Sequence, residues 1–284
     1  MIQKHSIMLN RKENVRDRLC FHDGAVPYFS IPSFDALGIK NGFSTRFGGV
    51  STGAYAEMNL AALKEPKDVI FENYRRMCET LHMNVNRAVL SYQTHTVHVR
   101  TVQESDLGKG PVFDRDYIDV DGLITDMPDV PLVTLYADCV PLYFYDPVHH
   151  AIGLSHSGWR GTAGRIGAVT LQRMHEEFDT REEDVLAAIG PSICKDCYEV
   201  SEDVASVFRS EFGAFRFEKM AEEKEDGKYL LDLWEANRTV LLSAGVPKEN
   251  IFTTDICTKC NSELLFSHRV LGSARGTMGA FLSL

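Results

Sequence analysis

The sequence lacks any long hydrophobic run and any excess of positive charge. No stretch of about 18 consecutive apolar residues occurs, so we expect no membrane-spanning helix. The N-terminal segment has no apolar stretch of the kind found in a secretory signal, which predicts a cytoplasmic protein. With 40 acidic and 30 basic side chains the formal net charge is −10, and this balance argues against non-specific binding to nucleic acid or to an anionic membrane.

The chain also lacks the even cysteine count of a disulfide-stabilised secreted domain. Its 7 cysteines are expected to be thiols, metal ligands or nucleophiles in a reducing compartment. Internal repeats and low-complexity segments are absent too. Hydrophobic residues make up 44% of the chain, which is enough for a sizeable core and argues against disorder.

Helix and strand patterns are intermixed without a strict βαβ rhythm. Apolar spacing predicts helices over 66–82 and 162–178, and Ser201 marks the start of a third helix. A fourth helix begins at Asp232, with Glu235 completing a capping box, and ends at Gly245. Strand patterns cover 88–102, 130–145, 151–155 and 186–189, and the charged stretch 218–228 predicts an exposed loop. We therefore expect a single α/β domain with mixed sheets over residues 26–284, preceded by an N-terminal arm over residues 1–25.

The stretch YADCVPLYFYDP places an acid and a thiol inside an apolar segment. Asp138 is a carboxylate in a predicted strand, where a charge must be paired, hydrogen-bonded or close to a ligand. Pro141 cannot donate to a central sheet ladder, so the strand is expected to bulge or end there. Asp138 and Cys139 are therefore candidates for a functional site.

Two histidines and this cysteine form a candidate metal site. His95, Cys139 and His156 each lie on or just after a predicted strand, and they would leave the fourth position of a tetrahedral zinc ion open, as in catalytic sites. Asp138 could then orient a ligand or carry a proton. Alternatively, the three are core residues with satisfied side chains, which is the interpretation we prefer for His98.

Two glycine-rich segments carry candidate anion-binding arginines. HSGWRGT combines glycines, the start of a predicted helix and Arg160, whose planar guanidinium suits phosphate. Arg46 in STRFGGVS could be a second clamp on an anion. The alternative in each case is a tight turn with the arginine in an ordinary ion pair.

The motifs FSTRFGGVS, QTH, DGLIT, ADCVPL, HSGWRGT, IGPSI and CYEV occur in this order. Together they resemble the YfiH-type laccase-domain family, whose members are described as multicopper polyphenol oxidoreductases and as purine nucleoside phosphorylases. The resemblance begins at about residue 42. It implies a layered α-β-β-α fold and a zinc site formed by His95, Cys139 and His156.

The resemblance also implies substrates. These are purine nucleosides and phosphate: adenosine, inosine, guanosine and methylthioadenosine would undergo phosphorolysis, and adenosine would also be deaminated. Arg46 and Arg160 would then bind phosphate, and Asn59 and Gln93, from their places in the motifs, are candidates to hold sugar or base. The segment FSHRVLGSARG departs from the family pattern at His268 and Val270, of which we interpret His268 as a surface substitution. The oligomeric state, monomer or homodimer, stays open.

Four other interpretations remain at this point. Copper-dependent phenol oxidation would need several coppers and many histidine ligands. A cysteine hydrolase would use Cys139 as nucleophile and His156 as base. A non-enzymatic module would bind nucleotides without turnover. Finally, the pairs CKDC (Cys194, Cys197) and CTKC (Cys257, Cys260) could hold a structural zinc, although ordinary thiols at the core or its edge are the interpretation we prefer.

Overall fold

Two six-stranded sheets form the centre of the computed structural model, which describes residues 9–12, 18–61 and 65–284. The strands are β1 (Cys20–His22), β2 (Tyr28–Ser30), β3 (Lys40–Ser44), β4 (Val89–Leu90), β5 (Val99–Thr101), β6 (Gly122–Thr125), β7 (Leu132–Tyr136), β8 (Val140–Asp146), β9 (Ala151–Ser157), β10 (Leu186–Ile189), β11 (Glu199–Val200), β12 (Ala221–Glu223), β13 (Tyr229–Leu231), β14 (Ile251–Thr253) and β15 (Met278–Ser283). The helices are α1 (Pro32–Asp35), α2 (Lys67–Thr80), α3 (Trp159–Ala163), α4 (Ile166–Phe178), α5 (Glu202–Phe212), α6 (Ala214–Met220), α7 (Leu233–Ala244) and α8 (His268–Leu271).

The first sheet has the strand order β1-β2-β3-β15-β7-β4, and the second has the order β14-β10-β8-β9-β6-β5. Both are mixed: β4 runs parallel to β7 and β14 runs parallel to β10, whereas most other neighbours are antiparallel. A small third sheet has the order β11-β13-β12. The predicted single α/β domain with mixed sheets is therefore confirmed.

Strand β8 shows why the sheets are stacked between helices. Its Tyr143 and Tyr145 pack in the core between the two large sheets, whereas Leu142 and Phe144 pack on the other side against α4 and its neighbours. A strand that is buried on both faces reads as a continuous apolar run rather than as an alternating one. On the far side of the first sheet, α2 buries Tyr74 against β15. The order of layers is α-β-β-α, as the resemblance implied.

The expected single strand over 130–145 is wrong. The chain forms β7 in the first sheet, turns at 137–139, and then forms β8 in the second sheet. Pro141 lies inside β8 opposite His156, and its carbonyl accepts a hydrogen bond of 2.9 Å from Gly190 N. The break therefore precedes the proline, and Asp138 and Cys139 lie where the chain crosses between sheets.

Three further expectations need correction. Residues 88–102 contain two short strands in different sheets, β4 and β5, joined by a loop. The helix predicted over 162–178 is divided into α3 and α4 by a turn at Arg165, which has a left-handed backbone (φ 60°). The charged stretch 218–228 is not simply a loop, because it contains the end of α6 and strand β12.

The other helix predictions are confirmed. Helix α2 spans 67–80 and α5 begins after Ser201. Asp232 accepts hydrogen bonds from Trp234 N and Glu235 N at the start of α7, and Gly245 ends that helix with φ 108°. The predicted capping box is only half formed, because Asp232 N donates to Met220 O (2.6 Å) instead of to the side chain of Glu235. Of the predicted N-terminal arm, residues 1–8 and 13–17 lie outside the described residues. In the parts that are described, no helix has the length and apolar character needed to cross a bilayer.

Candidate active site

Three ligand-type side chains from separate segments meet at one place. His95 comes from the loop between β4 and β5, Cys139 from the link between β7 and β8, and His156 from β9. One ligand atom from each lies within 4.8 Å of the others, and Cys139 Sγ is 4.0 Å from His95 Nε2. His156 is buried and His95 is exposed, so the group opens to the outside on the His95 side. The structure thus brings together the three residues selected from the sequence.

Asp121 organises this group, although sequence reasoning did not select it. Its buried carboxylate accepts hydrogen bonds from the backbone N–H groups of Thr94, His95 and Thr96, at 2.9–3.1 Å. It also accepts one of 2.8 Å from His156 Nδ1, which leaves Nε2 of that ring to face Cys139. One carboxylate therefore holds both the loop that carries His95 and the ring of His156. The available signal in the sequence was its position: Asp121 is the first residue of the motif DGLIT and directly precedes the buried strand β6.

The backbone is also shaped for this arrangement. His95 (φ 67°) and Asp138 (φ 87°) have left-handed conformations that are uncommon for residues other than glycine. Gly158 follows β9, and a Cβ at that position would lie 2.8 Å from His95 Cδ2 and 3.2 Å from Cys139 Sγ. Glycine is required there because any side chain would enter the space between the ligands.

The electrostatics of the group favour a cysteine thiolate. Burial opposes ionisation of Cys139, but His156 and His95 outweigh it and lower the pKa of the thiol to about 6. Burial also disfavours the charged form of His156, yet Cys139 and Asp121 raise the pKa of that imidazole to about 9. Cys139 is consequently ionised at neutral pH, the form that binds metals and attacks electrophiles.

The donor set fits zinc. Zinc–sulfur and zinc–nitrogen bonds of about 2.3 Å and 2.0 Å place tetrahedral ligand atoms about 3.5 Å apart, so small inward shifts of the three side chains would suffice. Two imidazoles and a thiolate are ligands that zinc accepts, and Asp121 supplies the hydrogen bond that fixes one histidine. Their role as metal ligands stays a prediction. His98 lies outside this group, and its Nδ1 is 3.0 Å from Asp119 O. The interpretation of His98 as a core residue is wrong, because its side chain is exposed at the surface.

Asp138 is held by three donors rather than left free. Its carboxylate accepts hydrogen bonds from Thr258 Oγ1 (2.6 Å), Ser267 Oγ (3.0 Å) and Arg269 N (2.7 Å). Its carbonyl oxygen also accepts one from Ile193 N (3.0 Å). This arrangement supports a role in fixing the segments around Cys139, and the proton-handling role stays a prediction.

The two predicted nucleoside-binding side chains are occupied by the protein's own groups. Asn59 is buried and binds Ala61, Glu65 and Thr277 N. Gln93 accepts from Leu135 N and donates to Leu135 O, so it continues the hydrogen bonding of β7. Both side chains support the loops of the site, and substrate binding by either remains a prediction.

The two predicted phosphate-binding arginines differ in their availability. The guanidinium of Arg46 donates long hydrogen bonds, of 3.3–3.4 Å, to the carbonyls of Ala56 and Ser262, and it lies 4.8 Å over the ring of Phe266. Arg160 is exposed and stacks on Trp159 at 4.2 Å, and its guanidinium forms no hydrogen bond or ion pair with any residue that the structure describes. Arg160 is therefore the more available anion ligand.

Two more residues reach the site without having been selected. Burial raises the pKa of Tyr198, on which the charges of Cys139, Arg269, Asp138 and Arg160 also act, and its ring lies 5.2 Å from the guanidinium of Arg269. Burial lowers the pKa of Arg275, against the opposing effect of Asp138 and Cys139. Arg275 Nε also donates to His268 Nδ1 at 3.3 Å. His268 is exposed as expected, but it also binds this arginine.

Comparison with known protein families gives a match over residues 40–284, to the family described as multi-copper polyphenol oxidoreductase laccase. The chain belongs to this multi-copper polyphenol oxidoreductase laccase family. Purine nucleoside phosphorylase YlmD of Geobacillus stearothermophilus is 37% identical over 248 residues, which are 87% of this chain and 89% of that protein. A purine nucleoside phosphorylase of Bacteroides thetaiotaomicron is 36% identical over 252 residues, 88% of this chain and 92% of that protein.

Solved structures of laccase-family proteins share the fold. The hypothetical protein YfiH of Bacillus licheniformis superposes with a TM-score of 0.87 at 31% identity and covers 93% of this chain and 98% of that one. YlmD of Geobacillus stearothermophilus superposes with a TM-score of 0.85 at 35% identity, over 93% and 98% of the two chains. The two-sheet arrangement that carries the site is therefore the fold of this laccase family.

Proposed function

We propose that the chain is a zinc-dependent purine nucleoside phosphorylase. Its substrates would be adenosine, inosine, guanosine and methylthioadenosine together with phosphate, and it would also deaminate adenosine. The names of its relatives support an enzyme that acts on purine nucleosides. The observation that carries the metal-dependent part is the convergence of His95, Cys139 and His156 within 4.8 Å, with Asp121 behind them.

When bound, zinc would supply a Lewis acid with one open coordination position. The chain's own contribution begins with Asp121, which holds the His95 loop and keeps the Nε2 lone pair of His156 directed to the site. The exposed side of His95 is where substrate would enter. Cys139 is a thiolate above a pH of about 6, and His156, whose pKa is raised to about 9, would release its proton on binding the metal.

Phosphorolysis requires a phosphate oxygen to bond to C1′ of the ribose while the bond from C1′ to the purine nitrogen breaks. The departing base takes the bonding electron pair and a proton. Arg160 has an unengaged guanidinium on this side of the molecule and suits bidentate binding of phosphate. Arg46, the other arginine selected from the sequence, is the second candidate phosphate ligand, because its guanidinium is held by long hydrogen bonds of 3.3–3.4 Å. The two arginines would thus hold phosphate in position for attack.

An assay on protein of known metal content tests the proposal. The protein is incubated with adenosine, with and without phosphate, and the products are separated by mass spectrometry. We expect adenine and ribose-1-phosphate only when phosphate is present, and inosine in either case. Zinc-loaded protein that yields no product from any of the four nucleosides would contradict the proposal.

A matched pair of variants links the activity to the site. His95→Ala should abolish turnover and reduce bound zinc, whereas His98→Ala, in the same loop but outside the ligand group, should leave both unchanged. If His95→Ala retained full zinc and full turnover, the assignment of the site would be wrong.

The lowered pKa of Cys139 favours one alternative, a cysteine hydrolase with His156 as its base. A thiolate that binds a metal cannot also act as a free nucleophile, so metal analysis separates the two functions. Metal-free protein that resists zinc and is inactivated by alkylation of Cys139 would support the hydrolase. Stoichiometric copper with phenol oxidation would instead support the oxidase, since copper also accepts imidazole and thiolate ligands.

A further inference from the structure

A second group of four cysteines lies at the ends of two neighbouring strands. Strands β10 and β14 run parallel, so their carboxyl ends meet at the same edge of the second sheet. The CKDC pair follows β10 and the CTKC pair follows β14, and a bridge between Ser192 and Cys257 extends the pairing. Residues 63 positions apart in the chain are therefore brought into contact.

The sulfur positions suit one metal ion. The Sγ atoms of Cys194, Cys197, Cys257 and Cys260 all lie within 4.8 Å of one another, and those of Cys197 and Cys260 are 3.5 Å apart. Four thiolates around one ion, with bonds of about 2.3 Å, have sulfur–sulfur distances of about 3.8 Å. An iron–sulfur cluster divides its cysteines among several irons and would hold them further apart. The four sulfurs thus match a mononuclear site.

The backbone around the cysteines is arranged for a bound thiolate. Cys257 Sγ accepts hydrogen bonds from Cys194 N (3.3 Å) and from Cys260 N (3.4 Å). Such bonds favour the charged form of a sulfur. Lys12 Nζ lies 2.7 Å from Asp196 Oδ2, between the two cysteines of CKDC, and so places a positive charge beside the group. Cys194 and Cys257 are buried, whereas Cys197 and Cys260 are partly exposed and leave a route for the ion.

We propose that these four thiolates hold a single divalent metal ion, zinc being expected, in a closed structural site distinct from the His95, Cys139, His156 group. Tetrahedral sulfur coordination is typical of structural zinc and is also accepted by a single iron. The proposal does not depend on the nucleoside activity. It replaces the preference for ordinary thiols stated in the sequence analysis, because the parallel pairing of β10 and β14 brings the two pairs together.

The position of this metal site indicates what it does. Thr258, inside CTKC, donates to the carboxylate of Asp138, and Ile193, next to Cys194, donates to its carbonyl. The bound ion would fix the two loops that hydrogen-bond to Asp138, the residue next to Cys139. It would therefore act as a positioning element, without contact with substrate.

Metal analysis of the full chain, purified under reducing conditions, tests the proposal. We expect two metal ions per chain, one for each group. We expect one metal ion in Cys139→Ala, where the four-cysteine group is the metal site that remains. Loading Cys139→Ala with cobalt should give the intense sulfur-to-cobalt absorption of a four-thiolate site. One iron in place of zinc would also support the site. Cys139→Ala that contains no metal, and in which Cys194, Cys197, Cys257 and Cys260 are reactive thiols or form two disulfides, would overturn the proposal.

Matched cysteine variants locate the second ion. Cys197→Ser should lose one metal ion and the cobalt signal, whereas Cys20→Ala, at an exposed cysteine outside both groups, should lose neither. Because Cys197→Ser could unfold, a strong chelator is also added to Cys139→Ala. Removal of the remaining ion should lower the melting temperature, and added zinc should restore it. An unchanged melting temperature after complete metal removal would contradict the structural role.

Discussion

The carboxylate of Asp121 lies 2.8 Å from Nδ1 of His156 and at the same time accepts the backbone N–H of His95 at 3.1 Å. One buried acid thus controls a ring orientation on β9 and a loop conformation between β4 and β5. These two segments are far apart in the sequence. The geometry of the three candidate metal ligands therefore depends on Asp121, a residue that would not itself touch the metal.

Asp121→Asn should weaken zinc binding by about 10- to 100-fold and reduce turnover accordingly, since the amide cannot accept all the hydrogen bonds that the carboxylate accepts. Competition with a zinc-binding dye measures the affinity. Asp119→Asn is the matched control, because Asp119 binds the hydroxyl of Thr94 in the same region without contacting His156. Equal zinc affinity in the two variants would refute the role of Asp121.

Gly158→Ala should lose most of its zinc, because the new methyl group would lie 2.8 Å from His95 Cδ2 and 3.2 Å from Cys139 Sγ. Metal content and circular dichroism are measured together. We expect a folded protein with an empty site, since the clash is with the ligands. Gly24→Ala, which has nothing within 4 Å of its added Cβ, should retain the zinc of the unmodified chain.

Asp138→Asn should lower the free energy of unfolding by about 2–4 kcal/mol, because buried donors from Ser267 and Arg269 lose a charged acceptor. Urea denaturation measures this. Thr258→Val removes one of the donors and should cost less. The pH profile of the residual activity separates the two possible roles: an unchanged shape indicates positioning, whereas loss of one limb would restore the proton-handling role predicted from the sequence.

Arg160→Ala should raise the KM for phosphate at least 10-fold and leave adenosine deamination within about twofold, because only phosphorolysis needs the anion. Steady-state kinetics with varied phosphate measures the effect. Arg173→Ala serves as the control, because its side chain pairs with Glu176 and Glu177 on the surface of α4. A similar loss in both reactions of Arg160→Ala would argue against phosphate binding by this residue.

Alkylation of metal-free protein should reveal the ionised thiol of Cys139. A pKa lowered to about 6 means that the thiolate persists at neutral pH and is lost as the pH falls through about 6. The rate of reaction with iodoacetamide at Cys139 should therefore be nearly constant above pH 7 and decline below 6. Peptide mass spectrometry follows this cysteine. A rate that still rises steeply from pH 7 to 9 would contradict the lowered pKa.

Local signals in the sequence were sufficient for several elements. The limits of α2 and the cap of α7 follow from apolar spacing and from Asp232 and Gly245. The run over 130–145 misled because β8 is buried on both faces, and such a run does not reveal where the chain leaves one sheet for another. The division of this run into β7 and β8 depends on which strands each segment pairs with in the two sheets.

In the site, too, the sequence identified some residues correctly, whereas the roles of others became visible only in the three-dimensional structure. The motifs identified His95, Cys139 and His156, since their residue types already suit a metal. Asn59 and Gln93 were selected only by position, and the structure uses both to satisfy neighbouring backbone groups. The four cysteines could not be joined from the sequence, because nothing local predicts that β10 and β14 are parallel neighbours.

The place of β15 in the first sheet has a consequence for how the protein is made. Residues 278–283 form a strand between β3 and β7, so these two strands are each hydrogen-bonded to β15 and are not paired with one another. During synthesis, β3 and β7 emerge from the ribosome long before their shared neighbour. The nascent chain therefore has two strand edges without their shared neighbour until residues 278–283 have emerged, and exposed edges of this kind are sites where chains pair wrongly.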